Sequence, residues 1–181
     1  MQPALTGEGP YRRERPDLLL EPSLSCSKLL LLGDMVAARR ILAPVLALPE
    51  RTNQIARTHA VAVCLGLRPD QCLLLLESDE GIERVREGLL RGALDAVHAL
   101  DAGARFVGFA LVGKRAAALL NSGCGLDLRL KSMPPDTCAG SRIEQVPVWI
   151  LRHALETFEV LVERPLAAYL WQWLNRAAET L

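Results

Sequence analysis

The sequence has no surplus of charge of either sign. Lys and Arg together number 21, as do Asp and Glu, so the formal net charge at pH 7 is zero. Proteins that bind nucleic acid need an excess of basic residues to neutralise phosphates. The balance therefore argues against a nucleic-acid partner.

Long apolar runs and paired cysteines are also lacking. The apolar runs at 29–32, 73–76 and 106–112 are far shorter than the roughly 20 residues that a helix needs to cross a bilayer. We therefore expect no membrane partner. The five cysteines include no CxxC pair, and their odd number, together with the absence of a signal peptide, predicts reduced thiols and a cytoplasmic location.

Patterns typical of catalysis or cofactor binding are lacking as well. His59, His98 and His153 have no carboxylate or cysteine at ligand spacing, whereas a metal site needs three or four ligands. Cys138 has only Arg142 nearby to lower its pKa, so we interpret it as a small buried hydrophobe. Dinucleotide and phosphate-loop fingerprints do not occur. We expect no catalytic, cofactor-binding or metal-binding residue here, and a chain that is inactive alone.

The glycine-rich segment around Gly123 and the carboxylate of Asp127 are better explained by a role in the fold than by a role in catalysis or binding. Gly123 follows a short predicted helix, where a left-handed C-cap is expected, and 123–125 predicts a turn. Asp127 lies between two leucines. We expect its carboxylate to order a loop by binding a backbone amide or an arginine.

Half of the residues are hydrophobic, and their periodicity predicts a mixed fold. Strands are predicted at 28–32, 58–66, 71–77, 92–100, 104–112, 138–145, 147–152 and 156–163, and helices at 34–42, 79–91, 114–121 and 165–179. The first six elements follow the split β-α-β pattern. The second half repeats most of it: 30–33 resembles 111–113, and 75–77 resembles 161–163, although chance similarity is an alternative.

These elements predict an α+β fold of two pseudo-repeated, ferredoxin-like split β-α-β units. The units cover about 27–101 and 102–181. Residues 1–26 contain four prolines and mixed charges, and predict a flexible N-terminal arm that either stays disordered or orders on a partner.

The terminal helix contains three of the eight aromatic residues of the chain. Its predicted core stripe has helical spacing and consists of Leu166, Tyr169, Leu170, Trp173, Leu174 and Ala177. Trp171 lies about 120° from the centre of that stripe and is flanked by alanines. We therefore predict Trp171 as a partner-binding anchor, with edge packing on its own sheet as the alternative.

Three segments carry a resemblance to a known family. They are Gly-Leu-Asp-Leu at 125–128, Pro-Pro-x-x-Cys-Ala at 134–139 and Tyr-Leu-Trp-x-Trp-Leu at 169–174. This ordered set, within 28–181, resembles the gamma subunit of heterotetrameric sarcosine oxidase. The resemblance implies a fold related to the folate-binding domain of the glycine-cleavage aminomethyltransferase. Cys72 stands where the family usually has Trp, and we interpret it as a packing residue.

The resemblance also implies a function. The chain would be a non-catalytic subunit of a complex that oxidatively demethylates sarcosine or a related N-methyl amine. It would pack against the large alpha subunit and stabilise it, with FAD, FMN, NAD and tetrahydrofolate bound in partner subunits. The alternatives are a stand-alone folate-binding or folate-dependent one-carbon transfer protein of the same fold, and a scaffold in an unrelated complex. For folate, Asp101 is the one candidate ligand, but a turn residue before Ala102-Gly103 is favoured.

Overall fold

The computed structural model describes residues 13–23, 27–59, 62–92 and 96–181. In chain order the elements are β1 (Arg13–Arg15), β2 (Leu18–Pro22), β3 (Ser27–Gly33), α1 (Met35–Leu42), β4 (Ile55–Thr58), β5 (Ala62–Arg68), β6 (Gln71–Leu76), α2 (Asp79–Arg91), β7 (Val97–Asp101), β8 (Phe106–Val112), α3 (Ala116–Asn121), β9 (Thr137–Ile143), β10 (Val146–Ala154), β11 (Thr157–Glu163) and α4 (Ala167–Thr180). A 3-10 turn at Arg164–Leu166 precedes α4. None of the described helices is long and apolar enough to cross a membrane.

The chain forms two compact units. Unit 1 comprises Met1–Ser25 and Arg105–Leu181, and unit 2 comprises Cys26–Ala104. The division falls after Ala104, whereas the sequence predicted it after Asp101. The described N-terminal residues 13–23 belong to unit 1.

Unit 2 is an antiparallel sheet with two helices. Its strand order is β4-β5-β6-β3-β7. Asp34 accepts hydrogen bonds from the first amides of α1, and the Ser78 side chain accepts one from the Gly81 amide at the start of α2. The core between helices and sheet includes Leu31, Leu74 and Val85, each with an exposed fraction of 0%. The apolar side chains of both helices thus stabilise the sheet by burial.

Unit 1 has the same construction with one additional strand. Its six-stranded antiparallel sheet has the order β1-β2-β8-β11-β10-β9. Its core contains Phe109, Val160 and Leu170 with side chains from α3 and α4. The predicted fold class, two split β-α-β units in an α+β protein, is confirmed.

The two units correspond strand by strand. β3, β6, β5, β4 and β7 of unit 2 occupy the same sheet positions as β8, β11, β10, β9 and β2 of unit 1. Gly33 and Gly113 end equivalent strands with φ of 121° and 123°. A Cβ at either glycine would lie within 2.3 Å of a carbonyl oxygen, that of Ala96 or of Asp17. Both positions therefore require glycine for the same reason, which supports an internal duplication.

The predicted flexible arm at 1–26 is wrong for residues 13–23. β1 and β2 are ordered strands, and β2 pairs with β8 in the register Leu20↔Leu111. Leu18 and Leu20 point into the core of unit 1 with exposed fractions of 2% and 0%. Residues 1–12 and 24–26 lie outside the described residues. Strand β4 was also missed, since the predicted strand 58–66 begins where β4 ends.

Candidate functional site

The terminal helix α4 buries a different face from the predicted one. Its buried residues are Ala167, Leu170, Trp171, Leu174, Asn175 and Ala178. The Trp171 ring stacks on Phe109 with centroids 5.1 Å apart, and its exposed fraction is 1%. Tyr169, placed in the core by the sequence, is 48% exposed.

The predicted exposure of Trp171 is therefore wrong. Ala167 and Ala178, on either side of Trp171 on the same helix face, allow the helix to lie close to the sheet, so the large indole fills the space against β8. A buried indole offers a partner almost no surface. The proposal that Trp171 binds a partner remains an untested prediction whose premise, an exposed ring, is not met.

Trp173 is half-buried at the edge of the same core. A Cβ at residue 123 would lie 2.3 Å from its ring. Gly123 does not adopt the positive φ expected of a left-handed C-cap, and Ser122, the residue that caps α3, is right-handed. Glycine at 123 is explained by the close approach of the Trp173 ring.

Strand β1 is tied to α4 through its first residue. The Arg13 guanidinium donates to the side-chain oxygen of Asn175 at 3.2 Å and to Glu179 at 2.9 Å. Asn175 in turn donates to the carbonyl of Trp171 at 2.9 Å. The N-terminal strand thereby holds the outer turns of the terminal helix.

Arg152 is the main polar residue that sequence reasoning missed. It lies on β10 with an exposed fraction of 4%. Its guanidinium donates to the carbonyl oxygens of Leu128 at 2.8 Å and Met133 at 2.9 Å, and it also donates to the carbonyls of Ala154 and Leu155. It further lies 4.7 Å from the centroid of the Phe158 ring.

These contacts fold the segment between α3 and β9 around one cation. The Arg152 partners are backbone oxygens, and burial lowers the pKa of its guanidinium. The segments that carry the family resemblance, 125–128 and 134–139, are joined to this loop. Arg152 bonds to this loop at Leu128, the last residue of the first segment, and at Met133, directly before the second.

Asp127 orders the same loop from outside, as the sequence predicted. Its carboxylate accepts from the Arg129 guanidinium at 2.7 and 2.9 Å and from the Ser132 hydroxyl at 2.6 Å. The hydrogen bonds from Arg129 and Ser132 hold the pKa of Asp127 well below its usual range. Asp127 is thereby confirmed as a loop-ordering residue.

A second polar group in unit 1 involves residues distant in sequence. The imidazole Nε2 of His153 lies 3.0 Å from the Glu159 carboxylate. Gly108 leaves space for this carboxylate, because a Cβ there would lie 2.6 Å from it and 2.4 Å from the Ser23 hydroxyl. The Ser23 hydroxyl is buried and has no hydrogen-bond partner among the described residues.

The other predicted site residues lie apart. His59 and His98 are exposed in unit 2, and the Asp101 carboxylate accepts from the Gly103 amide at 2.8 Å, which confirms the turn. Cys138 is buried as predicted, and burial raises the pKa of its thiol to about 12. Among the described residues, no three His, Cys, Asp or Glu side chains converge as metal ligands.

An open groove of about 660 Å³ lies on unit 1 beside β9 and β10. Half-buried Trp149 lines it, together with Arg105, Arg142, Glu144 and Glu163. Arg105 pairs with Glu163 at 2.8 Å. Aromatic and arginine side chains are enriched where proteins contact each other. The lining is of the kind found on protein-binding surfaces.

The architecture defines an α+β protein of two split β-α-β units, and solved structures contain the same fold. A chain of heterotetrameric sarcosine oxidase from Corynebacterium sp. U-96, determined with pyrrole 2-carboxylate, has a TM-score of 0.80 and 19% identity over 98% of this chain and 89% of that chain. Aminomethyltransferase T of the glycine cleavage system from Bartonella henselae has a TM-score of 0.61 and 17% identity over 88% of this chain and 46% of that chain. No curated protein matches the sequence.

The family assignment comes from the sequence match. The family described as "Sarcosine oxidase, gamma subunit family" matches residues 36–180. The chain therefore belongs to the sarcosine oxidase gamma subunit family, as the resemblance implied.

Proposed function

We propose that this chain is the gamma subunit of a heterotetrameric sarcosine oxidase-type complex. The match of the family to residues 36–180 carries the proposal. The shared fold with a chain of the Corynebacterium enzyme supports it. The complex would oxidise sarcosine or a related N-methyl amine.

Within that complex, the chain contributes packing and not chemistry. FAD, FMN, NAD and tetrahydrofolate would be bound by the partner subunits, and the chain would pack against the large alpha subunit and stabilise it. Four side chains that chemistry could use are engaged in structure: the thiols of Cys64 and Cys138 have pKa values raised by burial to about 12, and Asp101 and Asp127 order turns. The family match does not favour the stand-alone folate protein.

Co-expression tests the proposal. The chain is produced alone and together with the flavin-binding subunits of the same genome, and each preparation is purified through a tag on this chain. We expect a colourless, inactive chain alone and a yellow complex that oxidises sarcosine or another N-methyl amine. The large subunit produced without this chain should unfold at a lower temperature.

Two results would contradict the proposal. One is failure of the wild-type chain to co-purify with the large subunit. The other is a flavin or tetrahydrofolate bound tightly to the isolated chain, which would instead support a stand-alone cofactor-binding protein.

A further inference from the structure

The internal duplication leaves one strand without a counterpart. Each of the five strands of unit 2 matches a strand of unit 1, and β1 is the additional one. In unit 1, β1 covers the outer edge of β2 in an antiparallel register, Glu14↔Leu19. In the described residues of unit 2, no strand covers the outer edge of β7, which is equivalent to β2.

The register of β7 shows which backbone groups face that edge. Asp34 donates to the Ala96 carbonyl at 2.8 Å, and Ala102 donates to the Lys28 carbonyl at 2.9 Å. Antiparallel strands alternate between residues that bond to the neighbour and residues that do not. Since Ala96 and Ala102 bond to β3, so do the alternate residues His98 and Leu100 between them. The pairing Leu31↔Ala99 is therefore one without hydrogen bonds. Val97, Ala99 and Asp101 direct their N–H and C=O groups away from β3.

This edge lacks the features that normally prevent strand addition. Edge strands are usually protected by shortness, by charged side chains or by proline. The outermost strand of unit 1 has three residues, all charged, Arg13, Glu14 and Arg15. In contrast, β7 has five residues with one charge, at Asp101, and Leu100 is 49% exposed.

We propose that the outer edge of β7 accepts an extended strand of the large subunit in the assembled complex. The added strand would occupy in unit 2 the position that β1 occupies in unit 1. Its backbone would bond to Val97, Ala99 and Asp101. A basic residue opposite Asp101 and an apolar residue beside Leu100 would complete the pairing. The inference rests on the proposed function, because the large subunit is the partner.

Hydrogen exchange at single-residue resolution tests the proposal in the isolated chain and in the co-expressed complex. In the isolated chain, the amides of His98 and Leu100 should be protected by β3, and those of Val97, Ala99 and Asp101 should exchange at least tenfold faster. In the complex, all five should be protected. If complex formation leaves the outer amides unprotected, the proposal is wrong.

A proline substitution provides an independent test. Ala99→Pro removes an outward N–H, and proline is tolerated on edge strands when that group faces solvent. We expect the isolated variant to melt near the wild-type temperature and to bind the large subunit at least tenfold more weakly. The matched variant Ala99→Ser keeps the N–H and should bind as the wild type does. Equal binding by both variants would overturn the proposal.

The remaining outcomes also decide the question. If the outer amides are already protected in the isolated chain, the chain covers its own edge or pairs with a second copy, and the proposal is wrong. If the wild-type chain forms no complex, the proposed function fails and this inference fails with it. A complex that forms with an unprotected β7 edge overturns this inference alone.

Discussion

Replacement of the buried Arg152 should destabilise unit 1 by about 3 kcal/mol. Arg152→Met keeps most of the aliphatic volume but removes the donors to the Leu128 and Met133 carbonyls, which are buried. A hydrogen bond to a charged donor contributes about 1.5–3 kcal/mol, and a buried acceptor left unpaired costs about 1–3 kcal/mol. The cost of burying the cation disappears at the same time, which offsets part of the loss.

The effect can be measured in unit 1 separately. All three tryptophans of the chain, Trp149, Trp171 and Trp173, lie in unit 1. Tryptophan fluorescence during urea or thermal unfolding therefore reports that unit. A loss of about 3 kcal/mol should lower the melting temperature by roughly 6–12 °C where the whole chain unfolds in one step, and by roughly twice that where unit 1 unfolds by itself.

Two control variants separate the proposed cause from others. Arg142→Met removes an exposed arginine on the neighbouring strand β9 and should change stability by less than about 0.5 kcal/mol. Arg152→Lys keeps the charge but cannot reach several carbonyls with one ammonium, so its loss should be intermediate. Hydrogen exchange in 126–136 should accelerate in Arg152→Met. If Arg152→Met unfolds together with Arg142→Met, the loop does not depend on this guanidinium.

The burial of Trp171 and Cys138 and the backbone of Gly113 can each be tested. Trp171→Ala should lower the free energy of unfolding by about 3–5 kcal/mol, because it opens a cavity beside Phe109. Tyr169→Ala, at an exposed site, should lower it by less than about 1 kcal/mol. Urea unfolding compares the two variants, and equal losses would contradict the assigned helix face. The thiol of Cys138, with a pKa of about 12, should react with iodoacetamide at pH 8 about a thousandfold more slowly than an unperturbed cysteine, which mass spectrometry of the labelled protein measures. Because the folded state holds this proton more tightly than the unfolded state does, its contribution to stability should fall as the pH rises above about 8.5. Gly113→Ala should cost about 3 kcal/mol or more, since φ is positive and the new Cβ meets the Asp17 carbonyl; an unchanged urea midpoint would contradict the strained geometry.

The order of elements from β3 to α4 was largely predictable from the sequence. Buried strands such as β6 have continuous apolar residues, and α2 has apolar residues at helical spacing with a serine cap. These signals are local. Boundaries shifted by a few residues, because hydrogen bonds to neighbouring strands decide where a strand ends.

The strands β1 and β2 were missed because local composition gives a contrary signal. Prolines and mixed charges around Arg13–Arg15 indicate a flexible segment. The strands form because β2 pairs with the edge of β8, which lies some 90 residues later in the chain. Local periodicity gives no information about so distant a pairing. The run of three leucines at 18–20 was the one available sign of burial.

The buried face of α4 was misassigned because two overlapping stripes satisfy the same spacing. Both contain Leu170 and Leu174, and the more hydrophobic alternative adds Tyr169 and Trp173. The structure selects the stripe with Trp171 and small residues. Small side chains permit close approach of helix and sheet, so shape decides where hydrophobicity is ambiguous. Arg152 was not predictable, because its carbonyl partners are defined only by the folded loop.

The features that distinguish the two units are the best indication of where partner contacts lie. The shared sheet and helices are explained by folding alone, since each unit needs them to bury a core. Among the described residues, three of the features without a counterpart in the other unit are the strand β1, the Arg152-centred loop and the uncovered edge of β7. The first two complete unit 1 from within the chain. In unit 2, no strand among the described residues covers the edge of β7 as β1 covers β2 in unit 1. An additional strand there would give the two sheets the same number of strands. The large subunit that we propose as the partner is the candidate source of that strand.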